Sequence, residues 1–370
     1  MSQIEQEIAK NRSKIHTDSY PMSIGEIINL YKDGELDIHP EFQRIYRWSD
    51  SQKSKLIESI LLGIPLPSIF VAQRQDGVWD VVDGLQRLST IFSFIGIFKD
   101  ENEEILPPLE LSETEYIPSL KDMKWDNTEC IEKELPVELK RTFKREKIDI
   151  KIIQKESDDN AKYELFQRLN TGGSKLSDQE IRNCLLLMLN HDMYDWLKEI
   201  SENTDFQACI PITDKQVDEQ IYMEIALRFV IYRHFSPTRA SGFSDLNLFI
   251  TTEMKEVLFM EDFDRENEKI VFERTFELFN ELLQEDSFKK FSHEQNKYKG
   301  PFSLSIFEVL AVGASSIEEV DKNLKNKIYE LSKFLAEDDY FIDNTKYGTR
   351  SISRFQILTK YGKRLFSDED

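Results

Sequence analysis

The stretch VVDGLQRLST, residues 81–90, sets an acid, a glycine, an amide and an arginine where an apolar run gives way to an amphipathic one. An ordinary strand-to-helix turn needs an N-cap and a glycine; it does not need Gln86 and Arg87 in the first helical turn. Asp83 is placed to cap the helix, and Gly84 lets a ligand approach the backbone closely. The start of a helix offers unpaired N–H groups and a partial positive charge, which together attract phosphate. Arg87 adds a two-pronged donor for phosphate oxygens, and Gln86 can orient a water or read a base edge. An Asp83 carboxylate would repel phosphate unless Mg²⁺ stood between them, and Mg²⁺ often binds through one or two carboxylates plus phosphate oxygens. The expected catalytic residues are therefore Asp83, Gln86 and Arg87, with Asp83 as metal ligand and Gly84 and Thr90 as nucleotide contacts. The plain alternative is a capped helix bearing a surface Gln–Arg pair.

Three other stretches carry chemistry of the same kind. In PEFQRIYRW (40–48), Phe42, Tyr46 and Trp48 alternate with Arg44 and Arg47, which suits stacking and ion pairing with a nucleotide. Aromatic core anchors with arginines reaching outward would read the same way, although Arg44, in a Pro-led extended segment, points to function. In FQRLNTGGSKLSDQEIRN (166–183), Arg168 and Asn170 precede a Gly-Gly loop whose amides could wrap an anion, or which could simply separate two helices. Between Lys346 and Arg364 the chain holds six basic residues and no acid. Arg350 and Arg354 are four apart there and would share a helix face. Arg350, Arg354 and Lys360 are the expected contacts to DNA or a partner protein, or else form a clasp onto the acidic body of the chain.

The elements that must position these groups are legible by periodicity. MSIGEIINLYKDGEL reads as a helix ending at Gly34, and 50–63 as an amphipathic helix stopped by Gly63. PSIFVAQ and VWDVVD flank RQDG, a hairpin signal. Residues 84–98 run helical, with Leu85, Leu88, Phe92 and Ile95 on the buried stripe, and KIDIKII (147–153) reads as a strand. DDNAKYELFQRLN leads into a short helix. From Ser177 onward the strand signals fade; SDQE is a capping box, and helical patterns cover 179–200, 214–234, 264–285, 303–336 and 349–366. The boundary between two domains falls near residue 176. Segment 99–135, charged and Pro-containing, has no assignable element.

Composition limits the function. With 370 residues, 40% of them hydrophobic, the chain can bury substantial cores. It holds 48 Lys and Arg against 69 Asp and Glu, a formal net charge of −21, so phosphate contact must come from local basic patches. Uncharged apolar runs fall short of the ~20 residues of a membrane span, and the N-terminus lacks a secretory core. Cys130, Cys184 and Cys209 are isolated, as expected of reduced thiols in a cytoplasm. No His or Cys pair has zinc-ligand spacing, and NTGGSKLS lacks the Walker A order.

PEFQRIYRW, LLGIPLPSI, VVDGLQRLST and FQRLNTGGSKLSDQEIRN occur together and in one order. The sequence thereby resembles the N-terminal domain family of GmrSD-type restriction enzymes, within the ParB/sulfiredoxin-like superfamily, most closely over residues 20–185. The family motif DGQQR stands here as Asp83-Gly84-Leu85-Gln86-Arg87, with Leu85 replacing the first glutamine. The resemblance implies an α+β chain: a ParB/sulfiredoxin-like α/β domain over 1–176, then an all-helical domain over 177–370. It further implies an NTP-binding, NTP-hydrolysing regulator of bacterial anti-phage defence, with Arg44, Arg168 and Asn170 closing the pocket and Mg²⁺ as cofactor. His191, His234 and His293 do not form the His–Asn–His arrangement of an HNH nuclease, so an effector or nuclease partner protein is expected. A non-hydrolysing ParB-like DNA clamp, closing as a homo-oligomer, and a nuclease with an unrecognised carboxylate metal site remain the alternatives.

Overall fold

Period-two alternation in KIDIKII buries Ile148, Ile150, Ile152 and Ile153 and leaves the lysines and Asp149 outside, as a strand with one covered face requires. In the computed structural model, which describes residues 2–6, 16–38, 48–100, 103–155, 157 and 177–367, this strand lies within a five-stranded mixed sheet. The chain divides into two units, Met1–Leu176 and Ser177–Asp370.

In the first unit β1 (Thr17–Ser23) leads into α1 (Ile24–Lys32), capped by Ser23. A short β2 (Leu36–Asp37) follows, then α2 (Asp50–Leu61), which opens with a reciprocal Ser49–Gln52 capping box. β3 (Ile69–Gln73) and β4 (Trp79–Asp83) form the expected hairpin around 74–78, and α3 (Leu85–Ile95) ends at Gly96. α4 (Val137–Arg145) precedes β5 (Lys147–Ile153). The sheet order is β1-β5-β3-β4-β2, with β5 parallel to β3 and antiparallel to β1. Ile57, Ile69, Leu88, Ile91, Phe92 and Phe143 fill the core beside it, each fully or almost fully buried.

Segment 103–135 has no strand or α-helix among its described residues. It is held by bridges such as Lys124 to Glu134 and sends Leu111, Leu120, Trp125 and Leu135 into that core. Glu58, buried in α2, accepts hydrogen bonds from the Tyr116 and Ile117 amides at 2.8 and 2.7 Å and fastens the segment down.

The second unit begins at α5 (Asp178–Leu189), whose capping box joins Ser177 and Glu180. Asn190 caps α6 (His191–Ser201), so the pattern over 179–200 is two helices rather than one. Next come α7 (Thr204–Cys209), α8 (Asp214–Asp218), α9 (Ile221–His234), α10 (Pro237–Ala240), α11 (Leu246–Leu258) and α12 (Arg265–Leu283). An antiparallel pair, β6 (Lys290–Ser292) and β7 (Lys297–Lys299), interrupts the helices and corrects the all-helical expectation. The expected 303–336 stretch is α13 (Leu304–Ala314) and α14 (Lys322–Phe334), followed by α15 (Asp339–Asn344) and α16 (Ser351–Phe366). Gly313 and Gly362 let α13 and α16 touch: a Cβ on Gly362 would lie 2.2 Å from the Val309 carbonyl oxygen. Among the described residues no helix is long and apolar enough to cross a membrane.

Candidate functional site

Strand β4 delivers Asp83 at its last position, opposite Phe70, where the β3–β4 register shifts between Phe70 and Val71. The chain then turns through Gly84 at φ 104°. A Cβ there would stand 2.8 Å from Ile69 Cγ1 and 3.2 Å from Arg87 Nη2, so both conformation and space demand glycine. This turn corrects one expectation. Gly84, not Asp83, is the N-cap of α3, and no side chain caps that helix.

The Asp83 carboxylate instead meets Arg87. Arg87 Nη2 donates to Asp83 Oδ2 at 2.9 Å and to the Ser68 carbonyl at 3.2 Å, while Nη1 donates to the Pro67 carbonyl. The side-chain exposure is 11% for Arg87 and 42% for Asp83, so the arginine is the inner partner and the acid the outer one. Burial lowers the Arg87 guanidinium from its ordinary range and Asp83 opposes that shift. The expected exposed phosphate donor is thus a tie between the β4–α3 turn and the segment entering β3. Thr90, expected to touch nucleotide, is fully buried, and its hydroxyl donates to the Gln86 carbonyl at 2.7 Å within the helix. Gln86 is half-buried one residue before Arg87. Arg44, Arg168 and Asn170 lie outside the described residues.

Arg87 is the one ion-pair partner of Asp83 among the described residues, and the carboxylate stays half-exposed beside it. A single half-exposed carboxylate suits an ion that arrives with phosphate oxygens, as Mg²⁺ does. It does not suit a protein-caged metal, and among the described residues no cluster of three or more His, Cys, Asp or Glu could hold one. The uncapped start of α3 lies next to that carboxylate and offers the backbone donors that phosphate takes.

The basic C-terminal stretch separates into different roles. Arg354 points inward: Nε and Nη2 donate to Glu308 at 3.1 and 3.2 Å, and the Glu308 side chain is 0% exposed. Burial pushes the Glu308 carboxyl above the usual range, against the pull of Arg354. Arg354 is therefore an internal clasp between α13 and α16; its partner is 46 residues away in sequence. Arg350 and Lys360 are exposed, and Lys346 pairs with Asp343 at 2.6 Å.

Sequence reasoning missed the other charged groups inside the second unit. Arg228 binds Glu224 and reaches the Tyr232 hydroxyl at 3.1 Å, and the fully buried Arg182 lies 3.6 Å from Glu224. The four-residue spacing of Glu224 and Arg228 was the available signal.

The first unit is thus a mixed α/β domain in which a strand hands an outward carboxylate to an uncapped helix start. Residues 24–187 match the family described as GmrSD restriction endonuclease, N-terminal domain, and this part of the chain belongs to it. The match runs from α1 into α5 and so includes the Ser177–Glu180 capping box. Membership places the domain among proteins of restriction and anti-phage defence. Comparisons with curated proteins and with solved structures gave no match.

Proposed function

We propose that the chain is the nucleotide-responsive component of a restriction or anti-phage system: it binds an NTP with Mg²⁺ at the Asp83–Arg87 turn and hydrolyses it in response to DNA or a DNA-bound partner. One observation carries this reading. Asp83 is half-exposed, oriented by Arg87, and set beside a helix start that Gly84 opens and no side chain caps. In this reading Asp83 holds the ion, the first-turn amides of α3 hold phosphate, and Gln86 orients water. Arg87 positions Asp83, and Arg44, Arg168 and Asn170 complete the pocket. A partner protein supplies the cleavage of DNA.

A specific feature favours a second reading, a nucleotide-closed clamp without hydrolysis. Arg87 is committed to Asp83 and to two backbone carbonyls, so it is not free to neutralise charge on a transferring phosphoryl group. Phosphate release from each common NTP, with and without duplex DNA, separates the two. Release stimulated by DNA supports the regulator; tight binding with no release supports the clamp.

A further inference from the structure

A cleft of about 570 Å³ opens in the second unit between α9, α12, the turn after α13, and α16. Arg233, Arg274 and Lys363 line it, with Asn267, Ser316 and Glu318 among the polar neighbours. The three cations differ in how they are neutralised. Arg233 is paired: Nε and Nη2 donate to Glu268 at 3.1 and 3.0 Å, and Glu268 also takes His234 Nε2 at 2.9 Å. Arg274 has only carbonyls, donating to the Glu318 backbone oxygen at 2.8 Å and to Ser315 at 3.4 Å. Lys363 likewise donates to the Arg233 carbonyl at 3.2 Å. Neither Arg274 nor Lys363 has a carboxylate within ion-pair distance among the described residues, and the exposed Glu318 side chain attracts Arg274 only from further off. Burial and the nearby Arg233 charge depress both groups below their ordinary ranges.

In a chain of net charge −21, two cations crowded against a third without acidic partners are unusual. Holding them together costs free energy that an anion would return. We propose that this cleft binds the phosphate group of a small phosphorylated ligand, held by Arg274 and Lys363 and separate from the Asp83 site. The volume is that of a small-molecule pocket. Asn267, on the first turn of α12, and Ser316 supply neutral hydrogen-bonding groups around the charges, and the Ile270 and Val271 walls would cover the apolar part of an ester. Lys363 belongs to the basic C-terminal stretch, so the cleft accounts for one of its cations, as the Glu308 clasp accounts for another.

The site is read residue by residue through lysine acylation and mass spectrometry on the full chain, using pyrophosphate as the probe. Millimolar pyrophosphate should protect Lys363 from acylation several-fold while Lys360, likewise exposed on the same helix but outside the cleft lining, reacts as before. Arg274→Gln should raise the pyrophosphate concentration needed for protection about tenfold, and Arg274→Lys should restore much of it. Melting temperatures of the variants establish that they are folded, and Asp83→Asn should leave the protection unchanged because the Asp83 site is distinct. Protection by a nucleoside triphosphate at lower concentration than pyrophosphate would assign the ligand to nucleotides; equal protection would assign it to phosphate compounds generally. The proposal is overturned if Lys363 and Lys360 are protected alike, if folded Arg274→Gln behaves as wild type, or if duplex DNA protects and pyrophosphate does not.

Discussion

Arg87 Nη2 lies 2.9 Å from Asp83 Oδ2, with the arginine buried and the aspartate half-exposed. The pair spans the change from strand to helix, and Gly84 between them leaves no room for any side chain. A motif that looks like a row of ligand contacts is therefore built in two layers, an outer aspartate and an inner arginine that holds it in place.

Arg87→Ala should destabilise the protein by about 1–3 kcal/mol, since it removes charged hydrogen bonds to Asp83 and to the Pro67 and Ser68 carbonyls. An exposed arginine would cost about 0.5 kcal/mol or less. Urea midpoints of wild type and variant decide between the two, and a variant as stable as wild type would return Arg87 to the surface.

Gly84→Ala should be costly as well. A left-handed backbone costs a non-glycine residue roughly 1–2 kcal/mol, and the contact with Ile69 adds overpacking of about 1–3 kcal/mol. Gly84→Ala should cost less in an Ile69→Ala background, which removes both crowding atoms, Cγ1 and Cγ2, and so relieves the second loss and none of the first. Thermal denaturation of the single and double variants checks this.

In the second unit, Arg354→Ala should cost about 3–5 kcal/mol because it leaves Glu308 buried without its partner. Arg350→Ala, at an exposed position, should change stability by about 0.5 kcal/mol or less. If DNA meets this face, Arg350→Ala and Lys360→Ala should each lower the salt slope of binding by about 1, judged by gel shift. Arg354 is unsuited to that test, because its loss damages the fold.

Acid should act through Glu268. Burial alone would raise this carboxyl, but hydrogen bonds from His234 and Arg233 hold it at about 2. A depressed carboxylate contributes stability in full above its unfolded value near about 4.3, and the contribution is lost as the pH falls through about 2. Glu268→Gln should be less stable than wild type at neutral pH, and the gap should narrow across that window. Denaturation midpoints measured from about pH 5 downward test the sign; a gap that widens on acidification would contradict it.

Much of the fold was legible because its signals are local. The Ser177 box that opens the second unit, the 74–78 turn and the alternation in β5 each lie within a few residues of the structure they specify. β1 was not legible: five of its residues are exposed, Pro21 among them, so its strand form rests on pairing with β5, some 130 residues away. The same distance problem hid Glu308 as the partner of Arg354. At the site itself, Asp83, Gly84 and Arg87 could be picked out by type, but not their layering. An N-cap for Asp83 followed from reading position 84 as helix, whereas the left-handed Gly84 moves the cap by one residue and turns the carboxylate toward Arg87. Segment 103–135 has no period to read, because its buried residues are placed by individual bridges and by Glu58.

The most direct test is a calorimetric titration of wild type and Asp83→Asn with a nucleoside triphosphate, with and without Mg²⁺. Asparagine can still accept a hydrogen bond from Arg87, so Asp83→Asn should hold its stability to within about 1 kcal/mol. Wild type should bind nucleotide about tenfold or more tightly when Mg²⁺ is present, and folded Asp83→Asn should lose that gain. An equal Mg²⁺ effect in the two proteins would contradict a role for Asp83 in holding the ion.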